Sequence, residues 1–93
     1  MSTRREDLVR AISTARDQAK QLLALLETQG QPETNRSSSV YLALVSLRKR
    51  LAKENATPVA VAAELEQLST LCEGKLSRIK PLLEEGVNIA RRA

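Results

Sequence analysis

Residues 57–92, TPVAVAAELEQLSTLCEGKLSRIKPLLEEGVNIARR, decide the fold. Val61, Leu65, Leu68, Cys72, Ile79, Leu82 and Gly86 follow steps of four, three, four, seven, three and four. That is the spacing of one helical face, and no period-two alternation competes with it. Leu76, Leu83, Val87 and Ala90 sit beside the line, and Leu71 and Ile89 extend one shoulder, so the apolar sector spans roughly 160°. A stripe that wide meets two neighbouring helices rather than one. Thr57 suits the N-cap and Pro58 the first helical position, where a missing N–H costs nothing. Arg91 and Arg92 fall in the last turn, where cations complement the helix dipole.

Two residues interrupt this helix. In a helix interior Gly74 costs about 1 kcal/mol relative to Ala, and Pro81 about 3 kcal/mol with a lost hydrogen bond. The apolar register runs through both. The pattern therefore favours one helix bent near Pro81 over a chain broken near Gly74 into four helices.

Upstream, two further helices are expected to cover this stretch. Residues 3–28 open with Thr3-Arg4-Arg5-Glu6, the spacing of a capping box, and Leu8, Ile12, Ala15, Ala19, Leu22 and Leu26 form a core line with Ala11 and Leu23 beside it. GQPETNRSS then carries Gly30, Pro32 and no apolar side chain, which predicts a solvent loop. The next helix is expected over 39–54, capped by Ser37 or Ser38, with Val40, Leu44, Leu47 and Leu51 facing inward. Its first two turns are hydrophobic nearly all round, because Tyr41, Leu42 and Val45 are apolar too. The short Asn55-Ala56 connection favours antiparallel neighbours.

The expected architecture is thus an all-α antiparallel bundle, favouring three helices over 3–28, 39–54 and 58–91 in one domain spanning residues 1–93. Composition agrees: 42% of residues are apolar, with three Gly, three Pro and a single aromatic, Tyr41, too few turns and β-formers for a sandwich or barrel. Helices of about 39, 24 and 53 Å are unequal. The surplus of the last one suggests a homodimer.

The inventory argues against catalysis. There is no His, so the usual general base and commonest metal ligand are missing. Cys72 lies alone on the core line and reads as a small buried hydrophobe. Glu84-Glu85, Glu64 with Glu66, and Glu6-Asp7 are carboxylate pairs at positions that do not share a helix face. Glu73-Gly74-Lys75 lacks the earlier glycine, the Ser or Thr after lysine and the preceding strand of a phosphate loop. No enzyme activity, metal or cofactor is expected. One cysteine excludes an internal disulfide, and no targeting segment or apolar run long enough to span a bilayer is seen, so a soluble cytoplasmic protein is expected.

Binding remains. Leu42, Ser46, Lys49 and Lys53 form one outward stripe, apolar at one end and basic at the other. With Tyr41 and Val45 it suits an acidic amphipathic partner helix, and Tyr41, Leu42, Val45, Lys49 and Lys53 are the candidate partner-binding residues of a small adaptor. The rival is phosphate binding on nucleic acid by Arg48, Lys49, Arg50 and Lys53, the densest of three basic groups in a chain of net charge +4. Arg48, Lys49 and Arg50 point roughly 100° apart around the helix, and no aromatics interleave the cluster for base stacking.

Overall fold

The computed structural model describes residues 4–53 and 57–92. Four α-helices and one short 3-10 helix account for nearly all of them, with no strand: α1 (Arg4–Gln29), α2 (Thr34–Ala52), α3 (Pro58–Thr70), a 3-10 helix (Gly74–Arg78) and α4 (Lys80–Arg92). They form an antiparallel bundle about 42 Å long and 21 × 20 Å across. Helix α1 packs against α2 on one flank and α4 on the other, and α3 packs against α4.

Helix α1 ends as its sequence demands. Gly30 takes φ +62°, its N–H donates to the Glu27 carbonyl and the Gln31 N–H to the Leu26 carbonyl. Those two bonds are a Schellman motif, which needs a left-handed residue at that position. Helix α2 then starts at Thr34 rather than Ser39, so 34–38 is helical where a solvent loop was expected. The reason is Ser37, which is fully buried: a small hydroxyl side chain occupies the core position that an apolar residue marks elsewhere. The expected cap at Ser37 or Ser38 is replaced by Glu33, whose backbone is already helical and makes no side-chain capping bond.

The last third is broken, not bent. Thr57 Oγ1 accepts the Ala60 N–H at 3.2 Å, with Pro58 in the first turn as the sequence indicates. Helix α3 stops at Thr70, Gly74 turns the chain at φ +61°, and Pro81 falls in the first turn of α4, where it breaks no bond. A 3-10 helix has three residues per turn. Leu76 and Ile79, three apart, are both buried, and Leu83 follows four later. The break thus preserves the apolar register that argued for continuity. It also removes the surplus length behind the expected homodimer, because the 3-10 helix and α4 together run antiparallel beside α1.

The core follows the sequence lines closely. Leu8, Ile12, Ala15, Ala19, Leu22 and Leu26 of α1, and Val40, Leu44, Leu47 and Leu51 of α2, are all buried. So are Val61, Leu65, Leu68, Cys72, Leu83, Gly86, Val87 and Ala90. Helices α3 and α4 pack closely at Gly86, where an added Cβ would lie 2.9 Å from Leu65 Cδ1. The Thr3 cap, the end of α2 at Glu54 and the Asn55-Ala56 connection lie outside the described residues.

Candidate docking face on α2

Helix α2 turns Val40, Leu44, Leu47 and Leu51 inward, and at 100° per residue this fixes its other sides. Leu42, Ser46, Lys49 and Lys53 point straight outward, and all four are exposed. Leu42 keeps 59% of its surface accessible. Tyr41 and Val45 flank it on the side turned toward α1. Both are half-buried, and Tyr41 packs on the core cluster. The five candidate docking residues therefore share one continuous surface.

The four basic residues of the rival reading do not. Arg48 lies on the flank toward α1, where its Nε donates to Ser13 Oγ at 2.7 Å. Arg50 lies on the opposite flank and grips the Glu64 carboxylate of α3 with two bonds of 2.8 and 2.5 Å. That hydrogen-bonded pairing raises Arg50 above the ordinary arginine value, with burial opposing and the Coulomb attraction of Glu64 adding to it. Two of the four cations are thus engaged by side chains of neighbouring helices. Lys49 and Lys53 make no ion pair among the described residues and stay on the Leu42 face.

Ser13 and Glu64 are the partners that sequence reasoning did not find. They lie 35 and 14 residues from the arginines they hold, and only the assembled bundle brings them together. Val59, 81% exposed in the first turn of α3, was also missed. With Ala62, Ala63 and Ala90 it lines a groove of about 410 Å³ between α3 and α4, edged by the Glu66–Arg91 ion pair. A second groove, about 430 Å³, lies between α1 and α4 over Ala11, Leu82 and Ile89. Its rim carries both signs of charge, Asp7 and Glu85 with Arg10 and Arg92.

Chemistry has few footholds. Cys72 is buried and its Sγ donates to the Leu68 carbonyl at 3.4 Å. Burial pushes its thiol above the ordinary value, only partly offset by Lys80. Among the described residues no three metal-ligating side chains come together, and no helix is long and apolar enough to cross a membrane. Comparison with protein-family models, curated proteins and solved structures finds no match to this chain.

Proposed function

We propose that this bundle is a non-catalytic protein-interaction module, a small cytoplasmic adaptor that docks an acidic amphipathic helix on the outer face of α2. The observation that carries the proposal is Leu42, 59% exposed beside half-buried Tyr41 and Val45, with Lys49 and Lys53, in no ion pair among the described residues, about two and three turns further along the stripe. Apolar side chains of the partner would cover Leu42 and Val45, which supplies affinity. Its carboxylates would meet Lys49 and Lys53, which sets polarity and speeds encounter. Phosphate binding on nucleic acid is the less favoured reading, because Arg48 and Arg50 would have to abandon Ser13 and Glu64 to join the two lysines.

The test is retention of partners from nuclease-treated native extract on wild type, Leu42→Glu and Lys49→Glu/Lys53→Glu. The proposal expects a protein lost on Leu42→Glu and weakened by the double reversal, with an acidic helical segment that binds as an isolated peptide. Equal retention by all three chains overturns it. So does binding carried by nucleic acid, recognised by its steep fall with salt.

A further inference from the structure

The bundle is not equally closed on its four sides. The backbones of α1 and α2, α1 and α4, and α3 and α4 run close together, whereas α2 and α3 approach closely at few points. Above the shared apolar core, the ion pairs that reach across from α2 among the described residues are Arg50 to Glu64 near one end and Arg36 to Glu73, 4.0 Å apart, just past the end of α3. Buried polar atoms lacking a hydrogen-bond partner lie at both ends of the same seam. They are Arg50 Nε at one end and, just past the other, Glu33 Oε2, on a carboxylate that rests against Gly74; a third such atom, Ser37 Oγ, is fully buried in the first turns of α2. Such atoms cost free energy while buried, and the cost is relieved once water reaches them. On its other flank α2 is held to α1 by Arg48 to Ser13 and by Arg5, which donates to the Leu51 carbonyl.

We propose that the α2–α3 seam is the opening edge of this bundle, along which the α1–α2 and α3–α4 hairpins part while the contact between α1 and α4 holds. The chain fixes the direction. Only residues 53–57 separate α2 from α3, so the two helices cannot move far apart at that end, where Arg50 and Glu64 anchor them. The opposite end is free to widen. There the cross-link is the exposed Arg36–Glu73 pair, and Gly74 already interrupts the helical rod. Widening that end bares Cys72, which is otherwise 4% exposed. The device is independent of what docks on the outer face of α2.

Cys72 is the reporter, because the chain has no other thiol. Its modification by a disulfide reagent at fixed pH is followed in low urea, in low and high salt, and in Arg36→Met and Arg48→Met. An opening edge gives a labelling rate whose urea dependence is much shallower than that of global unfolding. Arg36→Met, which removes the cross-link at the widening end, is expected to raise the rate about twofold, as loss of one exposed ion pair allows, and salt to raise it in wild type but not in that variant. Arg48→Met, on the closed flank, changes it only as far as it changes global stability. A urea dependence equal to that of global unfolding overturns the proposal and needs no variant. A shallow dependence indifferent to both salt and Arg36→Met also overturns it, since it would mean local fraying around Cys72.

Discussion

Helix α4 has two small residues, Gly86 and Ala90, among those it buries, whereas α2 reaches α3 with a long charged one, Arg50. At Gly86 the absence of a side chain lets Leu65 of α3 settle against the α4 backbone, and Ala90 keeps the next turn equally thin. Close approach converts apolar area into dense packing, which tolerates little change. On α2 the flank toward α3 carries Arg50, whose reach to Glu64 holds the helices without bringing their backbones close. The outward side of the same helix leaves Leu42 uncovered. The inward side of α2 belongs to the core while its outward side is left uncovered. If that side is the docking face proposed above, stability and recognition rest on different surfaces, and substitutions can separate them.

The largest expected effect is on the tight side. Leu65→Ala should lower the unfolding free energy by about 2–5 kcal/mol, the range for a buried leucine, read by urea denaturation. Gly86→Ala alone should cost about 1–3 kcal/mol through overpacking against Leu65, less the helix propensity gained. In the Leu65→Ala background the Gly86→Ala cost should vanish or reverse. Additive behaviour would show that the two do not press on each other and would break the contrast at its strongest point.

Next comes the interruption between α3 and α4. Gly74 at φ +61° should lose about 1–2 kcal/mol on Gly74→Ala, because an L side chain resists the left-handed region. A continuous bent helix predicts the opposite sign, since alanine favours a helix interior. This one substitution distinguishes the two architectures in solution.

A smaller effect should appear with pH. Burial raises the folded Cys72 thiol, so above the ordinary thiol value of about 8.5 the unfolded chain releases a proton that the folded chain retains. Stability is then whole below that pH and declines as pH rises toward the folded value. Melting temperature measured from pH 7 to 10 should fall in wild type by more than in Cys72→Ala. Parallel declines would mean that Cys72 is not buried from solvent as described.

How much of this was legible in the sequence differs between the same two regions. The core lines of α1 and α3 could be read because each is a single face of Leu, Ile, Val and Ala at helical spacing, from Leu8 to Leu26 and from Val61 to Cys72. The start of α2 could not, because the inward residue of its first turns is Ser37, whose hydroxyl looks like a loop or cap signal. The break at Gly74 was hidden by Leu76 and Ile79, whose spacing of three fits a 3-10 turn as well as an α-helix. On the docking face, Leu42, Lys49 and Lys53 were readable as an outward stripe from periodicity alone. The fate of Arg48 and Arg50 was not, since adjacent residues on a helix diverge by 100° and their partners come from other helices. Helical period gives direction; it does not say what waits there.

The least expected change in stability belongs to Leu42→Glu, within about 0.5 kcal/mol as for an exposed site, and the same substitution should have the greatest effect on binding. The direct test compares it with Val59→Glu, which places the same charge on a still more exposed apolar residue in the first turn of α3. Affinity for the captured partner, or for its acidic helical peptide, is measured for both chains after melts establish equal folding. The docking face on α2 predicts that Leu42→Glu abolishes binding and Val59→Glu leaves it unchanged. Binding lost on Val59→Glu and kept on Leu42→Glu would contradict it and move the interface to the groove between α3 and α4.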